Sequence, residues 1–251
     1  MRILSFSTHK GGTGKTTSSI NLAVKLGRDG YRTLLIDVDP QGHATLGVGL
    51  DLAYDEPNIA DVLTDRGIPL GKVVRPTSIP NLTIAPSNIR LASVAESLYA
   101  KMRREERLQK NLTAIQEPYE WVVIDCPPAL GVLTEAAIAA ADRIIIPCQM
   151  EARAADGLVD LLEVIGLIKG EAFDAWRILL TKIDSRKTTT NQAVMAALAP
   201  WAPKICKTTI PQSEPLNQAQ IERTDIFSFE PKSTGALAYE SFAKEMLRYG
   251  R

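Results

Sequence analysis

The residues best suited to chemistry form a glycine-rich stretch near the start of the chain, running from Lys10 to Thr17 (KGGTGKTT). The apolar run before it predicts a strand and the pattern after it predicts a helix, so the stretch is a connecting loop. Glycines in such a loop let backbone N–H groups approach phosphate oxygens closely, and a helix N-terminus favours the same negative charge. Lys15 is then placed to contact the β- and γ-phosphates of a nucleotide, and the Thr16 hydroxyl to ligate Mg²⁺.

The other loop residues are expected to bind phosphates through their backbone, with Thr17 donating its hydroxyl to the α-phosphate; the backbone set is Gly11, Gly12, Thr13 and Gly14. The common GxxxxGK[ST] pattern needs a glycine at position 9, where this chain has His9. A lysine, Lys10, opens the loop instead. The loop therefore departs from the common phosphate-binding pattern at its first residue.

Carboxylates end two further predicted strands. Asp37 and Asp39 close the second strand (DVDPQG), and Asp125 stands at the tip of the apolar run WVVIDCPP. Carboxylates gathered at strand ends favour a site for Mg²⁺ with a phosphate chain. We expect Asp39 to orient the attacking water at the metal, Asp37 to support the metal shell or Lys15, and Asp125 to hold Mg²⁺ through water.

Short apolar runs alternate with helix-patterned segments along the whole chain. Strands are predicted at 3–7, 33–36, 82–85, 121–124, 143–147, 176–181 and 204–210, and helices at 15–27, 88–116, 132–141, 153–170, 188–199 and 235–249. This alternation predicts an α/β fold with a doubly wound, mostly parallel sheet and helices on both faces. Ligands of such folds bind beyond the carboxyl ends of the strands, where the motifs above lie. With no repeat or linker, residues 1–251 are interpreted as a single domain.

Composition restricts the possible partners and compartments. Lys plus Arg and Asp plus Glu both number 29, so DNA binding would have to come from a local patch rather than from net charge. The 3 cysteines form no CxxC pair and the chain has 2 histidines, which argues against a zinc site or a disulfide framework. We expect a cytoplasmic protein, because no signal peptide pattern or long apolar run is present.

KGGTGKTT, DVDPQGHAT, DCPPALGVLTEAAI and the late segment KSTGALAY resemble, in order and spacing, the ParA/Soj/MinD group of deviant Walker ATPases. The partition ATPases ParA and Soj are the nearest resemblance. It implies a single P-loop ATPase domain that uses ATP and Mg²⁺ and forms an ATP-dependent homodimer. It also implies that Lys10 reaches the nucleotide of the other subunit; the alternative is a phosphate contact within one subunit. A ParB-like or cargo-adaptor protein would stimulate the slow hydrolysis.

Recognition of the base is less distinct in the sequence. Lys182 ends a predicted strand where related P-loop proteins contact the purine, and Pro211 begins a loop that could cover it. Both positions are equally consistent with simple strand-end turns. The preference for ATP over GTP therefore rests on the resemblance.

The resemblance implies several possible outputs for the nucleotide switch. Arg186 or Lys187 matches a basic position of the ParA/Soj group, which predicts binding to nonspecific DNA and association with the nucleoid. Relatives carry arginine after the equivalent of Pro211, but this chain reads Gln-Ser-Glu at 212–214. Two hypotheses follow: an ATPase that positions a chromosome, a plasmid or a protein cargo along DNA, and a switch that acts on a protein partner without DNA.

Three other outputs are disfavoured by the sequence. A membrane-binding role would need an amphipathic tail after the last helix, and none is left over. A ligase would need a second group of polar residues for its substrate. An iron–sulfur protein would need presented cysteines, whereas Cys126 and Cys148 are interpreted as buried thiols.

Overall fold

A computed structural model describes residues 1–64, 67–151 and 154–249 of the chain. Seven strands form one sheet, and their bounds are β1 Arg2–Phe6, β2 Thr33–Asp37, β3 Arg75–Pro76, β4 Leu82–Ala85, β5 Trp121–Asp125, β6 Arg143–Gln149 and β7 Trp176–Thr181. The order across the sheet is β3-β4-β2-β5-β1-β6-β7. Every neighbouring pair is parallel except β3 and β4, which are antiparallel. The predicted doubly wound, mostly parallel α/β fold is confirmed.

Helices connect the strands and cover the sheet. They are α1 Lys15–Arg28, α2 His43–Gly47, α3 Ile59–Leu63, α4 Arg90–Leu98, α5 Arg107–Thr113, α6 Val132–Ala140, α7 Asp156–Lys169, α8 Thr188–Ala197, α9 Glu214–Ile221, α10 Ile226–Phe229 and α11 Thr234–Tyr249. Short 3₁₀ turns occur at Leu70–Lys72, Arg104–Glu106 and Ala199–Lys204. None of the helices in the described ranges has the length and apolar character needed to cross a membrane.

Two apolar clusters lie on opposite faces of the sheet. One face packs against α3 to α8, with Leu91, Leu108 and Leu161 fully buried. The other packs against α1, α2 and α9 to α11, with Leu22 and Phe242 fully buried. Because both faces are covered, the central strands are apolar on both sides, which is why they read as continuous apolar runs in the sequence.

Two predicted elements are wrong. The helix predicted at 88–116 is interrupted between α4 and α5, where Arg103 takes a left-handed conformation with φ 54° that a helix interior cannot contain. The strand predicted at 204–210 makes only an isolated bridge at Ile205, because the backbone N–H groups of Lys207 and Thr208 donate to Glu245 rather than to a strand. The sheet still has seven strands, because the short edge strand β3 was not predicted.

The other predicted helices and strands are confirmed with small shifts of their ends. The helix predicted at 153–170 is α7, and residue 153 lies outside the described residues. Helices α2, α3, α9 and α10 were not predicted. They are 5, 5, 8 and 4 residues long, too short for a clear apolar period except in α9.

Strand register brings the predicted site residues to one edge of the sheet. β5 lies between β2 and β1, and the parallel pairing places Asp37 of β2 directly beside Asp125 of β5. β1 pairs with β5 up to Phe6, after which the glycine-rich loop begins. The loop and both acidic motifs therefore emerge together at the carboxyl ends of three adjacent strands.

Candidate nucleotide-binding site

The glycine-rich loop joins β1 to α1 and is shaped by two left-handed residues. Gly12 has φ 74° and Gly14, the N-cap of α1, has φ 86°, both conformations that a side chain would strain. Among the described residues no side chain caps α1, and its first turn contains no acidic residue. The N–H groups of this first turn are therefore available to an anionic ligand.

Lys15 lies within the loop rather than on the surface. Its residue is 6% exposed and its Nζ donates to the carbonyl oxygen of Lys10 at 3.1 Å. Burial lowers the pKa of Lys15, and the neighbouring carboxylate of Asp125 opposes that shift. The result is a cation held inside a loop whose backbone presents N–H groups to the same space.

Asp125 is linked to α1 by two hydroxyl groups. Thr16 Oγ1 donates to Asp125 Oδ2 at 2.8 Å, and Ser19 Oγ donates to Oδ1 at 2.9 Å. The carboxylate is fully buried, so it meets the pocket through Thr16 rather than directly. Ser19, one turn after Thr16 on the same helix face, was missed in the sequence and carries no motif of its own.

The other two carboxylates differ sharply in their surroundings. Asp39 lines the pocket, and its Oδ1 accepts the backbone N–H of Gln41 at 2.9 Å. Asp37 is fully buried; its Oδ1 accepts the N–H of Asp39 at 3.0 Å, and its Oδ2 accepts the N–H and hydroxyl of Thr45 at 2.8 Å each. Oδ2 of Asp37 therefore joins β2 to α2, and its expected role in supporting the metal shell or Lys15 stays a prediction.

Burial dominates the electrostatics of the acidic pair. It raises the pKa of both Asp37 and Asp125, and the proximity of Asp37 raises that of Asp125 further. Two adjacent buried carboxylates are costly to ionise together unless a cation lies near them. Lys15 supplies one such charge, and a bound metal ion would supply more.

A cavity of about 770 Å³ opens over the loop. This volume lies in the range of about 300–1,000 Å³ that is typical of small-ligand sites. The predicted residues on its wall are Gly11, Gly12, Gly14, Lys15, Thr16, Thr17, Asp39, Lys182 and Pro211. Thr13, Asp37, Asp125 and Lys10 are not on the wall.

Lys182 and Pro211 lie at one end of this cavity, where two loops meet. Ile183 N donates to the carbonyl of Ile210 at 3.1 Å, which joins the end of β7 to the loop that carries Pro211. Thr181 Oγ1 donates to the carbonyl of Thr13 at 2.7 Å and fixes this end against the glycine-rich loop. The two candidate purine contacts are thus brought together on one side of the cavity.

Lys10 does not line the cavity. Its Nζ forms an ion pair with Glu151, and the side chain is 50% exposed. Its carbonyl oxygen, not its ammonium, faces Lys15. In this arrangement the ammonium of Lys10 stands on the outer surface beside the phosphate loop.

Arg186 and Lys187 lie outside the wall of the cavity, just before α8. The guanidinium of Arg186 is engaged by both oxygens of Asp184, whereas Lys187 forms no ion pair within the part of the chain that the structure describes. Both are exposed. They form a small basic surface that is independent of the phosphate loop.

Comparison with known proteins places this geometry in a family. A family model described as an AAA domain matches residues 1–178. The sporulation initiation inhibitor protein Soj of Bacillus subtilis is 36% identical over 252 residues, covering 99% of this chain and 99% of Soj. The chromosome partitioning protein ParA of Caulobacter vibrioides NA1000 is 33% identical, covering 98% of this chain and 94% of ParA.

A solved structure agrees over the whole length. Cobyrinic acid a,c-diamide synthase from Mycobacterium smegmatis, with a bound ATP analog and magnesium, superposes with a TM-score of 0.84 at 30% identity. The match covers 100% of this chain and 97% of that one. Full-length similarity, the loop that begins at Lys10 and the strand-end carboxylates together show that the chain belongs to the Soj/ParA family of P-loop ATPases.

Proposed function

We propose that residues 1–251 form one ATPase domain that works as a nucleotide-switched homodimer and positions DNA or a protein cargo along nonspecific DNA. The observation that carries this proposal is the convergence of Lys15, Thr16 and Asp39 on one cavity, with Asp125 held behind Thr16. The family supplies the reaction class, which is hydrolysis of ATP. The remaining steps are argued from the residues below.

The site fits ATP with Mg²⁺. Asp125 and Asp37 are buried with raised pKa values, and a divalent cation near them would offset the cost of their ionisation. No three His, Cys, Asp or Glu residues cluster as a metal site in the described ranges, so most ligands of the cation would come from phosphate and water. The Thr16 hydroxyl would ligate it, with Asp125 orienting Thr16 and Asp39 at the rim. Mg²⁺ would neutralise charge on the phosphates.

Each residue of the site then has a distinct task. Backbone N–H groups of the loop and of the first turn of α1 bind the phosphates, and Lys15 adds a positive charge. Asp39, which lines the cavity, orients the attacking water. These assignments follow from position on the wall of the cavity and from the chemistry of each group.

The position of Lys10 favours a role between subunits. Its ammonium lies outside the cavity of its own subunit, on the surface that a second copy would face if two nucleotides were enclosed between two subunits. To reach phosphate it would exchange Glu151 for the nucleotide of the partner. A contact within one subunit would instead need the loop to turn Lys10 inward.

The output proposed for the switch is DNA. Lys187 and Arg186 form an exposed basic surface, and two copies in a dimer would present it twice, which suits a salt-sensitive phosphate contact. Such a dimer would associate with the nucleoid. A ParB-like or cargo-adaptor protein would stimulate hydrolysis and release it.

A second candidate function has its own observation. Arg186 is neutralised by Asp184, and the segment after Pro211 supplies Gln212, Ser213 and Glu214 rather than arginine. A surface this poor in free positive charge favours a switch that acts on a protein partner. The two candidates differ in one property, which is ATP-dependent binding to DNA.

The experiment uses the Asp39→Ala protein, which should bind ATP without hydrolysing it. Its binding to random-sequence duplex DNA is measured at low salt with ATP, with ADP and without nucleotide, with Lys15→Ala as the variant that cannot bind nucleotide. Binding only with ATP supports the DNA-positioning function. An ATP-bound dimer that ignores DNA supports the protein-directed switch, and unchanged turnover in Asp39→Ala removes Asp39 from the mechanism.

A further inference from the structure

Helix α9 and the first turns of α1 both contribute residues to the wall of the cavity. The apolar side of α9 is fixed to the domain, because Leu216 and Ala219 are buried and Leu216 packs against Gly235 of α11. Just past the end of the helix, Arg223 forms an ion pair at 3.1 Å with Asp51 in the segment after α2. The helix is therefore held at two points along its length.

A hydrogen bond joins the two helices at the cavity wall. Gln220 of α9 donates from its side-chain amide Nε2 to Thr17 Oγ1 in the first turn of α1, and both residues line the cavity. Gln220 is exposed and Thr17 is half-buried. The first turn of α1 is the segment whose N–H groups are available to an anionic ligand. The contact therefore lies in the phosphate-binding part of the cavity.

The hydroxyl of Thr17 still has a hydrogen atom to donate. A threonine hydroxyl has one donor and two acceptor sites, and the amide of Gln220 uses one acceptor site. In helices this hydroxyl often donates to the carbonyl oxygen four residues earlier, here that of Thr13. That oxygen accepts the hydroxyl of Thr181 at 2.7 Å instead. Among the described residues, no group accepts a hydrogen bond from the Thr17 hydroxyl, so its hydrogen is available to a ligand.

The turn of α1 that carries Thr17 is itself fixed. Asn21 Nδ2 donates to the carbonyl oxygen of Thr17 at 2.7 Å, and Asn21 Oδ1 accepts the backbone N–H of Ile226 at 2.9 Å. Asn21 is 4% exposed, so these bonds join α1 to α10 inside the domain. A hydroxyl that accepts a hydrogen bond turns its own hydrogen away from that donor. With its backbone fixed, Thr17 therefore directs its hydrogen away from the amide of Gln220.

We propose that Gln220 is a positioning residue for the α-phosphate: its amide orients Thr17 so that the hydroxyl donates to a non-bridging α-phosphate oxygen. This inference rests on the proposed function, because it assumes that the cavity binds ATP. A hydrogen bond accepted by a hydroxyl also polarises its O–H bond, so the amide makes Thr17 a stronger donor. No motif of the sequence indicates this role, since Gln220 lies 203 residues from Thr17.

The test uses ATPαS, in which sulfur replaces one non-bridging oxygen of the α-phosphate and creates two diastereomers. Sulfur is a weak acceptor, so a hydroxyl that donates to one of the two positions makes the diastereomers bind with different affinities. Affinities for ATP and for both diastereomers, with Mg²⁺, are measured calorimetrically for wild type, Gln220→Ala and Thr17→Val, which removes only the hydroxyl. The control is Gln218→Ala, an exposed residue of the same helix outside the cavity wall.

The proposal predicts a linked pattern of affinities. Wild type should prefer one diastereomer, and Thr17→Val should reduce that preference. Gln220→Ala should weaken ATP binding by about 2–10-fold, the effect of one neutral hydrogen bond, and should reduce the preference as well. The double variant Thr17→Val/Gln220→Ala should lose no more affinity than Thr17→Val alone, because Gln220 acts through the hydroxyl. Gln218→Ala should match wild type.

A change to glutamate separates positioning of the hydroxyl from simple contact between the helices. In Gln220→Glu the side chain keeps its shape but can only accept a hydrogen bond, so Thr17 would donate to it rather than to the phosphate. The added negative charge repels both diastereomers equally, so the ratio of their affinities reports the hydrogen bond alone. That ratio should fall to the value of Thr17→Val.

The outcomes are distinct. A wild-type diastereomer ratio in Gln220→Ala, or additive losses in the double variant, would overturn the role of Gln220 while leaving the ATPase proposal intact. Equal affinities of the two diastereomers in wild type, or a wild-type ratio in Thr17→Val, would overturn it too, since Thr17 would then not donate to the α-phosphate. If wild type binds neither ATP nor ATPαS, the proposed function fails first and the inference fails with it.

Discussion

Arg186 and Asp184 form a paired charge just before α8. Arg186 Nε donates to Asp184 Oδ1 at 2.9 Å and Nη2 donates to Oδ2 at 2.8 Å, while the backbone N–H of Arg186 also donates to Oδ1 at 3.1 Å. These bonds lower the pKa of Asp184 to about 2, so the pair stays charged until the pH falls toward that value. At neutral pH the positive charge of Arg186 is therefore balanced locally, and Lys187 carries the free charge.

The first prediction concerns DNA binding in the Asp39→Ala background with ATP. Lys187→Ala should weaken binding and lower the slope of log affinity against log salt by about 1 for each phosphate that the protein no longer binds. The double variant Asp184→Asn/Arg186→Gln removes a balanced pair and should bind DNA nearly as tightly as the Asp39→Ala parent does. Lys72→Ala, on an exposed lysine beside the opposite edge of the sheet, is the control. A larger loss of affinity in the double variant than in Lys187→Ala would contradict this division of charge.

The second prediction concerns Lys10. Because its ammonium pairs with Glu151 on the surface, Lys10→Ala should change ATP affinity of the monomer by no more than about twofold. If Lys10 acts on the partner's nucleotide, partner-stimulated turnover should fall by about 10³-fold, the scale of a charge supplied in trans. Calorimetry and phosphate release measure the two quantities. Weak ATP binding with an otherwise intact fold would instead place Lys10 in its own cavity.

The third prediction tests the packing of α9 against α11, which brings Leu216 close to Gly235. A Cβ added at Gly235 would lie 2.7 Å from Leu216 Cγ, so Gly235→Ala must displace α9 or its own helix. The overpacking should lower the free energy of unfolding by about 1–3 kcal/mol. The higher helix propensity of alanine should offset part of this loss. Thermal unfolding should show a lower midpoint, and ATP affinity should fall as well. Gly166→Ala, where the new Cβ makes only an ordinary contact at 3.5 Å, should show neither effect.

A double variant tests whether Leu216 and Gly235 are in contact. In Leu216→Ala/Gly235→Ala the clash is gone, so the effect of the pair on the free energy of unfolding should be smaller than the sum of the two single effects. Full additivity would mean that the two residues do not contact each other in solution.

The fourth prediction concerns the three cysteines. Burial raises the pKa of Cys126 and Cys206 to about 12 and that of Cys148 to about 11, so the thiolate is scarce at about pH 8. Iodoacetamide should leave the folded protein unmodified at that pH and should label all 3 cysteines once it is unfolded. Mass spectrometry of both samples measures this. Rapid labelling of the folded protein would contradict the burial of these thiols.

Much of the site could be predicted because its chemistry is local. The loop at Lys10–Thr17 needs particular residues at fixed spacing, and the rule that parallel strands end together brought Asp39 and Asp125 to the same edge as the loop. What could not be predicted depends on distant partners. The carboxylate of Asp37 has the sequence position of a metal-site residue, and its hydrogen bonds to Thr45, which join β2 to α2, become visible only in the fold.

The sequence contained an indication of the start of α9, although no helix was predicted there. Ser213 followed by Glu214 and Pro215 is typical of a helix start, with a capping residue type and proline in the first turn. The helix was not predicted because most of its residues are polar and its buried apolar face consists of Leu216 and Ala219. The strand predicted at 204–210 was wrong because Glu245, distant in sequence, accepts the N–H groups of Lys207 and Thr208 in the fold.

Hydrogen bonds join α1 to helices in the last third of the chain. Gln220 bonds to Thr17 across 203 residues of sequence, and Tyr239 Oη bonds to Ser18 Oγ across 221. While the chain is being translated, the phosphate loop leaves the ribosome long before the helices that close its cavity. A chain that ends before α9 would lack the lining residues from Ser213 to Thr224, so it could not form the complete cavity over the phosphate loop.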